Sequence, residues 1–319
     1  MMKNPFISKL LRAKSGDGMG FAVDLEVSER GVYGAVVKLA AIRPKVLRCE
    51  YHATGKVSSD VLEKFCRDMG LLDQQLITLL HPGEYQMLLI EAPVVPEDEL
   101  KTAIRWKIKD ALSFHVDDAT VDVLKIPKYG VERTQSLYAI AANNQTIKQY
   151  IELFERAKQS LKVIDVRETA QRNVSCLFEK AESAVVLLSV DEQGGLLTFT
   201  ANGELFLSRR IEVNAGQLRE SDETVLLQIF NRVELELQRS LDYFDRQHNH
   251  LQVGVVLVSA ASQTRLVAFL VSMLDVKVEA LDLAQVMDIS DVPELSDSEF
   301  LSHALPVIGA ALRQESRSL

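Results

Sequence analysis

Cysteine is scarce in this chain of 319 residues: Cys49, Cys66 and Cys176 stand far apart and form no C-x-x-C pair. That excludes a disulfide framework and a thiolate zinc site, and the thiols read as reduced core residues of a cytosolic protein. The six histidines are scattered, and nothing beside His248 and His250 completes a metal set. Basic charge is in deficit, with a net charge of −9, which argues against the counterion-displacing face that general nucleic-acid binding requires. Apolar runs are short. The longest, "VGVVLVSAA" and "LVAFLVSML", are half of the ~18 residues that span a bilayer. The opening "MMKNPFISKLLRAK" has no apolar h-region and is not a signal peptide. There is no G-x-S-x-G and no G-x-x-x-x-G-K-[ST], so neither a nucleophile-elbow hydrolase nor a P-loop ATPase is indicated.

What is present is a globular composition, 47% apolar and 25% charged, in a length that fits two domains of ~150 residues. The N-terminus is polarised: Lys3, Lys9, Arg12 and Lys14 occur with no acid. With Phe6, Ile7, Leu10 and Leu11 on one side, it reads either as a weak membrane-surface or partner-binding helix or as an unstructured tail. Strand-like runs "GFAVDLEV", "GVYGAVVKLA" and "KVLRCEYHA" follow, then a serine-capped helix ending at Gly70. Further on, "AVVLLSV", "GLLTFTA" and "ELFLSRRIE" restart the same plan, followed by a long helix from about Asp222 to Asp245. Two similar α/β halves with a crevice between them are the expectation. The boundaries expected are a basic segment 1–20, a first domain 21–181, a second domain 182–300 and a final helix in 301–319 that packs back on the first. A small subdomain is expected over 57–127, where strands and a helix interrupt the first domain's pattern.

That helix, Glu97 to Leu112, carries an apolar stripe of Leu100, Ala103, Ile104, Ile108, Ala111 and Leu112. Trp106, the only tryptophan, falls off the stripe among polar residues. It is either an anchor for a bound peptide or a side chain covered by a neighbouring loop. Arg105 and Lys109 lie one turn apart beside it, and the three are the candidate partner-binding residues.

Several words are specific: "VPEDELKTAIRWKIKDAL" followed by "VDDATVDVLKIP", "ELQRSLDYFDRQ" before "GVVLVS", and "LPVIGAALR" near the end. With them the chain resembles the actin-like ATPase superfamily over nearly its whole length. Within it, the chain is similar to the PilM-type proteins of type IV pilus assembly, in the version from mannose-sensitive haemagglutinin (MSHA) pilus systems. The resemblance implies a ribonuclease H-like two-domain α/β fold with a small inserted subdomain in domain one. It implies a cytoplasmic protein, bound peripherally to the inner membrane, that grips the short cytoplasmic tail of a single-span PilN-like protein. The assembly platform and its motor ATPase are further implied partners. The GspL-type cytoplasmic domain of type II secretion shares the fold and continues into a membrane span. This chain shows none, which favours the pilus readings.

The resemblance also locates a nucleotide site. Two β-hairpins of the fold grip phosphates, glycines allow close backbone approach, and an aspartate in each helps to place magnesium. In "VDLEVSERGV", Asp24 matches and Ser28 could donate to a phosphate, but Glu26 stands at a glycine position. In "VDEQGGLLTF", Asp191 matches and Gly194 and Gly195 remain, but Glu192 and Gln193 depart from the pattern. Ser259-Ala260-Ala261 replaces the glycine pair that makes room for adenosine. Asp24, Ser28, Asp191, Gly194 and Gly195 are thus the cofactor-binding candidates, for ATP and magnesium. Damage to all three motifs leads to the expectation of weak or no MgATP binding, no catalytic residue, and aspartates that now brace their turns. An adaptor without catalysis is the first reading. A weakly hydrolysing ATP-binding protein and a GspL-like domain are the alternatives.

Overall fold

The computed structural model describes residues 18–26, 31–40, 43–127, 135–261 and 263–314. The basic segment up to residue 17, Ser28 and the side chain of Glu26 lie outside the described residues. The first half runs β1 (Gly18–Glu26), β2 (Gly31–Leu39), β3 (Lys45–Ala53), α1 (Ser59–Asp68), β4 (Gln75–Leu79), β5 (Tyr85–Glu91), α2 (Leu100–Ile108), β6 (Ala119–Lys125), β7 (Ser136–Asn143), α3 (Asn144–Arg156), β8 (Ser160–Asp165) and α4 (Arg167–Ser175). The second runs β9 (Ser183–Asp191), β10 (Gly194–Ala201), β11 (Glu204–Ile211), α5 (Ala215–Leu218), α6 (Glu223–Gln247), β12 (Gln252–Ala260), α7 (Gln263–Met273), β13 (Val278–Ala280) and α8 (Ser298–Ala311).

The halves share one topology. The first sheet has the order β3-β2-β1-β4-β8 and the second β11-β10-β9-β12-β13. In each, the first three strands are antiparallel and the last two join in parallel. Apolar side chains on both faces of these central strands demand cover on both sides. On one side of the first sheet, α1 and α3 supply it: Leu62, Phe65, Ile147, Tyr150 and Phe154 are buried. Gly34 of β2 lets α1 come close, since a Cβ there would lie 2.7 Å from the Phe65 ring. In the second half α6 does the same, capped by the Asp222 carboxylate on Thr224 N and Val225 N. Its stripe of Leu226, Ile229, Phe230, Val233, Leu237 and Phe244 faces inward.

Between the two sheets lie α4 and α8, packed with Ala22, Ile77, Val185, Leu187 and Leu257 in one apolar cluster. They cross where a Cβ on Gly309 would sit 2.2 Å from the Ala170 carbonyl oxygen, and Asn173 Nδ2 donates to Gly309 O at 2.9 Å. The C-terminal end of α8 also meets β1: a Cβ on Gly20 would lie 1.7 Å from the Ala311 carbonyl oxygen. Pro306 lies in the interior of this helix. The start is set by Asp297, whose carboxylate accepts from Glu299 N and Phe300 N.

The separate subdomain is displaced from the 57–127 expected for it. Its antiparallel sheet, ordered β5-β7-β6, spans 85–143, while α1 and β4 belong to the main layers of the first half. The strands "QLITL" and "YQMLLIE" are similar apolar runs, and such a run does not reveal which sheet will take it. One face of the small sheet packs on α2 through Leu100, Ile104 and Ile108. The other joins the main core through Tyr85, Leu124, Tyr138 and Ile140. No helix among the described residues is long and apolar enough to cross a membrane.

Candidate functional site

The duplicated topology brings Asp24, near the end of β1, opposite Asp191, the last residue of β9. Between them stands Arg167, the first residue of α4. Its Nη1 donates to Asp191 Oδ2, and its Nη2 lies 3.6 Å from Asp24 Oδ2. The arginine side chain is 5% exposed and that of Asp24 1%, so this charge cluster is shielded from water and each carboxylate depends on the guanidinium.

His81 fills in behind. Its Nε2 is 3.5 Å from Asp24 Oδ1, and its Nδ1 is 3.0 Å from Gln193 Nε2 and 3.5 Å from Arg167 Nη2. Nδ1 thus faces the Gln193 amide and the Arg167 guanidinium, and Nε2 faces the Asp24 carboxylate. Gln193 therefore fastens the hairpin of the second half to the His81 turn of the first. Asp191 Oδ1 accepts from the Gln193 backbone N–H at 2.8 Å and braces that turn. Glu192, the other departure from the phosphate-hairpin pattern, pairs with Arg219 at 2.6 Å, which in turn reaches Glu299 of α8 at 2.7 Å.

A second network lies beside the first. The Tyr85 hydroxyl donates to Glu168 Oε2 at 2.5 Å and accepts from Arg210 Nη2 at 2.5 Å, and Arg210 also reaches Glu168 Oε1 at 3.0 Å. Burial and the neighbouring Glu168 hold the Tyr85 phenol well above its ordinary pKa. Burial alone would lower Arg210, but Tyr85 and Glu168 together raise it. The space left between Arg167, Asp191, Arg210 and Pro306 is about 20 Å³, enough for one or two waters.

These residues do not fit a magnesium–triphosphate group. A metal cation would compete with Arg167 for the same carboxylate oxygens, Gln193 ties the second hairpin to His81, and the remaining space is of water size. Among the described residues no three His, Cys, Asp or Glu side chains gather as metal ligands.

No family model and no curated protein matches the sequence. Among solved structures the chain is similar to the PilM–PilN type IV pilus biogenesis complex, with 15% identity, 93% of this chain and 99% of that chain covered, and a TM-score of 0.68. It is also similar to the cytoplasmic domain of EpsL, an inner-membrane component of the type II secretion system of Vibrio cholerae, with 10% identity, 93% and 97% covered, and a TM-score of 0.52. The chain has the actin-like fold.

Within that actin-like frame, each residue singled out in the sequence can be placed. Asp24 and Asp191 both approach Arg167, an arginine that sequence reasoning passed over. Gly194 has φ +127°, and a Cβ on Gly195 would lie 3.0 Å from the Ile211 side chain. The hairpin's own geometry and packing account for both glycines. Ser259, Ala260 and Ala261 are buried. Trp106 is 67% exposed on α2, with Lys109 Nζ 5.8 Å from its ring centroid. No loop covers it. Arg105 turns the other way: it donates to the carbonyls of Ala119 at 2.6 Å and Val116 at 2.7 Å, so it braces the subdomain. The signal for Arg167 and Glu168 was available in "VRETAQRNVS", a polar helix start directly after an apolar strand. A helix so placed is buried on every side, and its charges must then find partners inside the protein.

Proposed function

We propose that the chain is a non-catalytic cytoplasmic adaptor of a type IV pilus assembly platform, of the MSHA type and close in role to MshI. In this reading it holds the cytoplasmic tail of a PilN-like inner-membrane protein, and binds neither ATP nor magnesium. The observation that carries it is the Arg167 guanidinium seated between Asp24 and Asp191. The chain itself supplies the cation that would otherwise arrive with a nucleotide, and the two domains are bound together without a ligand. The likeness to the PilM–PilN complex supports the setting, as do the sequence words given above. The lower TM-score against the EpsL domain makes the secretion-system reading second. Contact with the membrane is then indirect, through the partner. The platform's motor ATPase is a further contact to be tested.

The subdomain offers the features a tail would use. Strand β5 is an edge, paired among the described residues only with β7. An extended peptide can add to such an edge. Leu89 on β5 and Trp106 on α2 present apolar surface to solvent. The test is calorimetric titration of the protein with MgATP and, separately, with a synthetic PilN-like tail peptide. Micromolar MgATP binding that is lost in Asp24→Ala would overturn the non-catalytic reading, and no heat with the peptide would remove the docking role.

A further inference from the structure

We propose that Tyr85 and Tyr138 couple the tail-holding subdomain to the second domain, so that occupancy of β5 and closure of the two domains stabilise each other. The inference rests on the docking reading above. Its basis is a register. Tyr85 begins β5, and Tyr138 is the cross-strand partner on β7 of the exposed Leu89. Both rings lie on the sheet face away from α2. Their hydroxyls land on one strand of the other domain: Tyr85 accepts from Arg210 Nη2 at 2.5 Å, and Tyr138 accepts from the Ser208 backbone N–H at 2.9 Å. Residues 208 and 210 are alternate positions of β11 and so share a face. Two points fix a direction as well as a distance, and the paired strands β5 and β7 therefore cannot shift together without moving β11 or breaking both bonds.

The network is built to yield on one side. Glu168 is 2% exposed, and its two carboxylate oxygens are divided between Tyr85 and Arg210. The Arg210 side chain is 39% exposed, so water can replace its bonds when the domains part. The Arg167 clamp is more deeply placed, with Arg167 5%, Asp24 1% and Asp191 17% exposed. Opening at the Arg210 edge leaves the Tyr85–Glu168 hydrogen bond between the subdomain and α4 in place. A peptide added to β5 restrains the strand and favours the arrangement in which both tyrosines meet β11. The linkage is reciprocal, because closure must raise peptide affinity by the same factor.

The experiment uses the full chain with spin labels at Val94→Cys in the subdomain and Leu227→Cys in domain two, both exposed. Pulsed dipolar spectroscopy reads the distance distribution in the parent protein, in Tyr85→Phe/Tyr138→Phe and in Arg210→Ala, with circular dichroism to confirm folding. The expected result is a narrow distribution in the parent and a broader one in both variants. Addition of the PilN-like tail peptide narrows the variant distributions, and the peptide binds the variants about tenfold more weakly. Superimposable distributions in parent and variants overturn the coupling. Broadened distributions with equal peptide affinities also overturn it, and leave the docking reading intact. No peptide binding by the parent removes the docking reading, and the coupling with it.

Discussion

Gln193 of the second domain lies 3.0 Å from His81 of the first, its amide donating to the imidazole across the cleft. A residue that replaces a glycine of the phosphate-hairpin pattern has become a fastener. Gln193→Gly removes a hydrogen bond worth about 1 kcal/mol and adds backbone freedom worth about 0.5–1 kcal/mol. Urea unfolding should show a loss of roughly 1–2 kcal/mol, with no gain of MgATP binding while Arg167 stays in place.

Arg167→Ala takes the cation from the buried Asp24 and the partly buried Asp191, and should cost about 3 kcal/mol. Arg167→Met combined with Asp24→Asn and Asp191→Asn should recover most of that loss. Thermal unfolding of the single and triple variants checks the pair of statements. A triple variant no more stable than the single would show that the cluster's charges are not what matters.

Arg172 is 4% exposed on the same helix. Its Nη2 donates to Asn173 Oδ1 at 2.5 Å, while its Nε and Nη1 reach no hydrogen-bond partner. Burial lowers its pKa, as expected for a cation in an apolar setting. Arg172→Met keeps the volume and removes the charge, and should raise the unfolding free energy by about 1 kcal/mol or more.

Alkaline stability follows from buried phenols. Burial raises the Tyr85, Tyr138 and Tyr150 pKa values above the ordinary range. Above a pH of about 10 the unfolded chain has released these protons and the folded chain has not, so the folded state binds more protons and stability falls as pH rises. Each tyrosine contributes a slope of about 1.4 kcal/mol per pH unit between its unfolded and folded pKa. Below that window its contribution is fully present. Urea unfolding at pH 9, 10 and 11 should show the fall, shallower by one tyrosine in Tyr150→Phe.

The three thiols should be silent at neutral pH. Burial pushes Cys49, Cys66 and Cys176 up to about 12, and the thiolate is the reactive form. A colorimetric thiol assay should detect none of them in native protein and all three after denaturation.

The plan of the fold was legible because duplicated strand–turn–strand runs are local patterns, and the long α6 announced itself by its Leu226–Phe244 stripe. Asp24 and Asp191 were legible as a facing pair because each closes a similar hairpin. What joins them was not. Arg167 and His81 are remote in sequence from both hairpins, and only the placement of α4 between two sheets brings the guanidinium to both aspartates. The limits of the small sheet were missed for a related reason, since β4 and β5 read alike until their partners are known. Arg105 was read as one of three partner-binding candidates on the polar side of α2, because helical periodicity reports a direction and not the carbonyls of Val116 and Ala119 that receive its guanidinium.

The close approach of α8 to both Gly20 and Ala170 has a consequence for synthesis. A growing chain leaves the ribosome with its first strands long before residues 298–311 emerge. Until then the faces of β1, β2 and α4 that receive α8 stay open, and the apolar cluster between the sheets has no roof. The first half can form its outer layers early but must wait for the last helix to finish its interior. A nascent chain stalled before residue 298 would thus present sticky surface, and the interior of the first domain is completed only once α8 has emerged.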